Sequence, residues 1–240
     1  MIKSLAGINP KELRYGNIDG EIWKAYGKEV KNIQDCFFRS KESFKLFPTS
    51  KSFQLNIPKK RFCQRQIAMK QIRFDQTSCK VLNKGHKRVK KYLTVYNGGT
   101  CLIALHSILQ YYQKEVSLLQ LGKKIVKRKM RINGAGVHHM AMDTILELEY
   151  DIKSKMLSNA TEILQSLFTD KPVLCLVPVK KFQRGLSHKG NQAVLIWGVK
   201  EDKFVVTDTV SSIRVQYINT KELIDMTIKA WSFEPIRTFD

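Results

Sequence analysis

The sequence predicts an α+β fold, with helices leading and antiparallel strands following. Three observations point to it. Leu102, Leu105, Leu109 and Tyr112 recur at helical spacing. Residues 173–179 and 193–199 are unbroken apolar runs, short enough for buried strands. Hydrophobic residues make up 43% of the 240-residue chain, enough for a real core.

Residues 1–92 read as a basic, partly extended arm, and residues 93–240 as the domain proper. Asn9-Pro10 and Tyr15-Gly16 mark turns. A short helix is expected over 22–30, where Ile22, Trp23, Tyr26 and Val30 share a side. Phe37, Phe38, Phe44, Phe47 and Phe53 are spaced through polar sequence like the anchors of a segment lying along another surface. A basic stretch follows, containing Lys59, Lys60, Arg61, Arg65, Lys87, Arg88, Lys90 and Lys91, with Asp75 as its only acid. Phe62, Ile67, Ile72 and Phe74 interleave with the charges. That combination suits phosphate contacts beside a packed or stacked face, and it also fits a solvated charged segment.

The domain opens at Asn97-Gly98-Gly99-Thr100-Cys101. The spacing predicts a helix over 100–113, with the Thr100 hydroxyl as its cap. A small polar or thiol residue at a buried helix N-terminus suits a nucleophile, because free N–H groups and the helix dipole favour an anion there. The same pattern fits a core helix whose cysteine is a small apolar filler. A short helix is expected over 116–125, followed by Lys127, Arg128, Lys129 and Arg131, which extend the basic surface. Gly134-Ala135-Gly136 reads as a turn, 137–148 and 160–168 as helices, and Lys171-Pro172 as a break. Strands are expected at 173–179, 193–199, 203–207 and 213–217, with a polar loop over 182–190 and a last helix over 220–228.

The formal net charge is +21. A surplus of that size implies a polyanionic partner, most naturally RNA or a nucleoprotein assembly, with DNA, an anionic membrane or an acidic protein as alternatives. Five cysteines form no CxxC pair and no zinc spacing, and no P-loop occurs, so neither a metal nor a cofactor is expected. Scattered, odd-numbered cysteines fit reduced thiols in a cytosolic or organellar matrix. No apolar run reaches the ~18 residues that a membrane span needs.

Three stretches, taken in order, resemble a known family. They are the opening helix with Tyr111-Tyr112 and Lys114-Glu115-Val116-Ser117, then Gly136-Val137 with Lys171-Pro172-Val173-Leu174, then AVLIWGVKEDKFVVTDT over 193–209. Together they resemble the bacteriocin-processing cysteine peptidases, papain-like enzymes that cut leader peptides after a double glycine. The resemblance covers about residues 95–230. It implies a papain-like domain with a cysteine at the helix start, a histidine heading one strand, an aspartate ending the next, and a glutamine shortly before the cysteine.

Carried onto this chain, Asp208 falls on the aspartate. At the family's histidine–aspartate spacing the base position is Gln192. Alignment on Leu105 and Tyr111-Tyr112 puts the nucleophile at Thr100, and Thr94 stands near the glutamine position. Glutamine cannot accept a proton near neutral pH, and a hydroxyl without a base is a poor nucleophile. The resemblance therefore implies a degenerate peptidase kept as a binding or architectural module. Such a module would hold a polypeptide or sit in an RNA-containing particle such as an organellar ribosome, and the Asp208–Gln192 pair would remain as a clamp between strands. The alternative slips the helix by one residue and uses Cys101, His188 and Asp208 as an active cysteine peptidase cleaving after small residues. His106, His138 and His139 suit the base role less well by position.

Overall fold

The computed structural model describes residues 52–64, 66, 73–75, 92–94, 99–127, 131–132, 136–137, 140–182, 190–211 and 213–236. The expected 22–30 helix and most of the arm lie outside them.

The fold is α+β. In chain order the elements are β1 (Phe53–Gln54), β2 (Arg73–Asp75), β3 (Tyr92–Thr94), α1 (Thr100–Tyr111), α2 (Leu118–Lys127), β4 (Arg131–Ile132), β5 (Gly136–Val137) and α3 (Met140–Tyr150). They continue with β6 (Ile152–Leu157), α4 (Ala160–Phe168), β7 (Val173–Pro178), α5 (Val179–Phe182), β8 (Asn191–Lys200), β9 (Lys203–Asp208), β10 (Val215–Asn219), α6 (Thr220–Met226) and β11 (Lys229–Pro235). The main sheet is seven-stranded, in the order β10-β9-β8-β7-β11-β6, with β1 added to β8. Its ladders are antiparallel. Strands β2 with β3 and β4 with β5 form two small separate ladders.

Strand β8 is the centre. Residues 192–199 are all buried, which is why the sequence reads as a continuous apolar run rather than an alternating one. Its side chains still alternate between two cores. Ala193, Leu195 and Trp197 pack with Leu102, Leu105 and Leu109 of α1 and with Leu121 and Ile125 of α2. Val194 and Ile196 pack with Ile163, Leu164 and Leu167 of α4 and with Leu223 and Ile224 of α6. The helices therefore sandwich the sheet, and each apolar stripe in the sequence has a face to cover.

Helix boundaries follow local chemistry. Helix α2 starts later than expected because Ser117 and Gln120 form a capping box: the Gln120 N–H donates to Ser117 Oγ, and the Ser117 N–H donates to Gln120 Oε1. Helix α4 starts where its cap predicts, with Asn159 Oδ1 accepting from the Glu162 N–H at 2.9 Å. Helix α6 ends at Met226, short of the expected 228. Thr227 turns extended, and the Ile228 N–H donates to the Leu176 carbonyl at 2.8 Å, so the chain joins the sheet there.

Other expectations need correction. Helix α3 begins at Met140 rather than 137, because Gly136 and Val137 pair with Ile132 and Arg131. The last hairpin strand spans Val215–Asn219 rather than 213–217. Strands β6 and β11 were not anticipated. β11 lies between β7 and β6, and Ala230 to Phe233 are buried.

Part of the segment assigned to the arm joins this domain. β1 pairs Phe53 with Val199 and Gln54 with Gly198. Leu55 and Cys63 are buried. The Leu55 N–H donates to the Trp197 carbonyl at 2.7 Å, and the Gln64 N–H to the Thr209 carbonyl at 2.9 Å. Residues 53–64 thus form a strap fastened at both ends. The strap's approach requires glycine at 198, where an added Cβ would stand 2.3 Å from the Phe53 carbonyl oxygen and 2.8 Å from the Gln54 Cα.

Gly198→Ala is expected to destabilise the fold by about 1–3 kcal/mol through backbone overpacking. Urea denaturation measures the loss, and limited proteolysis should show cleavage within 53–64 that the native chain resists. Unchanged stability and protection would mean that the strap is not held by this contact.

Candidate functional site

Helix α1 carries the predicted nucleophile position. Its N-cap is the buried Gly99, and no side chain caps it, which corrects the expectation that Thr100 would. Thr100 is instead the first helical residue and is half-buried. Cys101 is buried, 8% exposed, and belongs to the core cluster that includes Ala193 and Leu195. At the far end of the helix the Tyr111 ring meets Trp197, 5.8 Å between centroids. The helix therefore runs back along β8, with its N-terminus toward the Gln192 end of the strand.

Gln192 and Asp208 come together at that same end. Gln192 pairs with Val177, and Asp208 pairs with Val194 two residues along β8. Directly opposed residues share a face, so both side chains belong to the face covered by α4 and α6, whereas Cys101 packs on the other. Gln192 is fully buried, and neither Oε1 nor Nε2 has a hydrogen-bond partner among the described residues. The Asp208 carboxylate is turned into its own loop. It accepts from the Val210 N–H at 2.8 Å, the Ser211 N–H at 3.3 Å and the Ser211 hydroxyl at 2.8 Å. The expected clamp between Asp208 and Gln192 is therefore not formed. His188, the base of the alternative set, lies outside the described residues.

The end of the sheet is stitched by other groups. Thr209 Oγ1 donates to the Ala193 carbonyl at 2.6 Å, and the Thr209 carbonyl accepts from Gln64. Gln64 is itself buried. The strap supplies it, and local spacing could not reveal its place, because the contact to Thr209 runs across the fold.

The strap meets α1 at His106. Its ring packs edge-on against Phe62 at 5.3 Å between centroids, and its Nε2 lies 3.0 Å from the Val116 carbonyl, so Nε2 carries the proton. Nδ1 is buried with no partner among the described residues. Burial lowers the His106 pKa below its ordinary 6.5, and the Val116 bond opposes this only in part. A groove beside it is lined by Lys60, Gln110 and Glu115. Burial pushes the Cys175 thiol up to about 12, which makes it an inert core residue.

Of the predicted basic residues, Lys59, Lys60 and Lys127 are exposed. Arg61 is half-buried, its Nε and Nη1 have no partner among the described residues, and burial lowers its pKa. Arg131 lies in β4. Arg65, Lys87, Arg88, Lys90, Lys91, Arg128 and Lys129 fall outside the described residues. Cations missed from sequence include Lys180, Lys181 and Lys221, which line a groove together with Glu222 and Asp225. Among the described residues no cluster of His, Cys, Asp or Glu could hold a metal, and no helix is long and apolar enough to cross a membrane.

Solved structures similar to this chain include two peptidases. A C39-like peptidase from Bacillus anthracis is 14% identical, with a TM-score of 0.46, over 57% of this chain and 88% of its own. The peptidase domain of Streptococcus ComA, a bifunctional ABC transporter of a quorum-sensing pathway, is also 14% identical, with a TM-score of 0.43, over 57% of this chain and 90% of its own. No family model and no curated protein matches the sequence.

Two predictions follow from the buried polar groups. Gln192→Met removes an unpartnered amide at nearly constant volume and is expected to stabilise the protein by about 1–3 kcal/mol. A lower melting temperature would show instead that the amide is satisfied in solution. His106 has a folded pKa below its unfolded value, so its contribution is complete above pH ~6.5 and is lost as pH falls toward the folded value. Unfolding free energy measured between pH 7 and 5 should therefore decline on acidification, and His106→Gln should flatten that decline.

Proposed function

We propose that the chain is a papain-like peptidase fold kept without the peptidase reaction, serving as a basic binding module for a polyanion. The observation that carries the first half is Gln192. It stands where the resemblance places the base, cannot take up a proton near neutral pH, and is buried on the sheet face opposite the core that holds Cys101. Losing a triad member typically costs on the order of a thousandfold or more in turnover. The burial of Cys101 and the engagement of Asp208 with residues 210–211 argue against the shifted set in the same way.

The second half rests on charge. A surplus of +21 favours phosphate-rich partners by counterion release. RNA in a nucleoprotein particle, such as a ribosome of an organelle, is the partner that best uses such a surface. A polypeptide held and not cut is the other use this fold could serve, and binding of an acidic peptide in place of RNA would favour it.

Binding of the full chain to RNA should be salt-sensitive, and Lys59→Gln with Lys60→Gln should lower the slope of log affinity against log salt by about 0.7 per lost phosphate contact on a single strand. Affinity that does not change with salt would remove the electrostatic half. Iodoacetamide labelling followed by peptide mapping tests the other half. Cys101 is expected to label slowly at a pH well below the ~8.5 of a free thiol. Rapid labelling there, with peptide cleavage abolished by Cys101→Ser, would restore the active peptidase.

A further inference from the structure

Tyr217 lies on β10, at one edge of the main sheet, and its side chain is half exposed. Phe168, exposed to the same extent, is covered on one side by Phe53 at 4.6 Å between centroids. Tyr217 is instead approached by a cation: Lys200 Nζ stands 5.3 Å from its ring centroid. The register puts a second lysine on the same face. Tyr217 opposes Val205, Lys203 lies two residues before Val205 on β9, and Lys200 opposes Lys203. At this edge of the sheet an exposed ring therefore stands with two exposed lysines on its side of the sheet.

The acids nearby are Glu201 and Asp202, in the turn joining the two lysines. Asp202 is occupied: its Oδ2 accepts from Asn219 Nδ2 at 3.2 Å, and its carbonyl accepts from the Thr220 N–H at 3.0 Å. Asp202 is thus engaged by the residues that open α6. Glu201 is exposed, and its backbone N–H is held by Ser52 Oγ at 3.1 Å.

We propose that Tyr217, Lys200 and Lys203 form a platform on which an unpaired base of single-stranded nucleic acid stacks. This deepens, and rests on, the polyanion reading above. The ring supplies a π-face that any base can use, and the lysines supply the charge that the flanking phosphates need. The side chain is half exposed, which leaves surface on which a base can stack beside the Lys200 ammonium. A duplex hides its base faces and cannot use the ring. A peptide strand added to the β10 edge would bind through its backbone and would not need the ring.

The test uses the full chain with a labelled oligouridylate of about 12 nucleotides, within the site sizes common for single-strand binders, and an RNA duplex of equal length, read by fluorescence anisotropy. Tyr217→Thr keeps a strand-forming residue and removes the ring. It should weaken single-strand binding by about tenfold and leave duplex binding unchanged. Tyr217→Phe should bind as the native chain does, and Lys200→Gln with Lys203→Gln should reduce the single-strand salt slope. Salt-sensitive RNA binding that Tyr217→Thr leaves intact, or weakens equally for duplex, overturns the platform and spares the polyanion reading. Failure of the native chain to bind either RNA overturns both.

Discussion

Strand β8 is paired along both edges and covered on both faces, and that double burial positions the other elements. A strand in this setting must be apolar on both sides, so each neighbour is selected by which half of the alternation it covers. The ladder to β9 is irregular between Ile196 and Gly198. At that irregularity Trp197 sends its indole N–H to Thr207 Oγ1 at 2.8 Å, and its carbonyl receives the strap. Gly198 then leaves room for the strap's backbone. A single local departure from regular pairing thus serves the indole, the strap and the end of α1 at Tyr111.

How much of this was legible in the sequence depended on whether a signal was local. β7, β8 and β9 announce themselves as apolar runs, and α1 and α4 as helical stripes. β6 is an edge strand whose Lys153 and Lys155 are exposed, so its residues carry no continuous apolar run. The early start expected for α3 failed because Gly136 and Val137 are recruited by residues 131–132, a pairing that no helical period records. Gln64 was invisible for the same kind of reason: what joins it to Thr209 is a contact across the fold.

The site shows the limit of alignment by spacing more sharply. Gln192 and Asp208, which spacing singled out, lie at one end of the sheet. Spacing could not say that Asp208 would spend its carboxylate on two N–H groups and a hydroxyl of its own turn, or that Gln192 would share a face with Val177. A proton relay needs a base, a partner that orients it and a nucleophile within reach. Here Asp208 is engaged in a turn, Gln192 cannot act as a base and Thr100 begins the helix, so these three side chains serve packing and turn formation.

The stitching of Gln64, Thr209 and Ala193 has a consequence for mutational drift. At the end of the sheet that holds Gln192 and Asp208, Gln64 contributes its backbone N–H, Ala193 its backbone carbonyl and Thr209 its carbonyl and hydroxyl. These bonds are made by backbone groups and one hydroxyl, and none of them uses the side chain at 100, 192 or 208. Substitutions at those positions leave these bonds in place, so the stitching of the strap and the side chains at 100, 192 and 208 are free to vary independently.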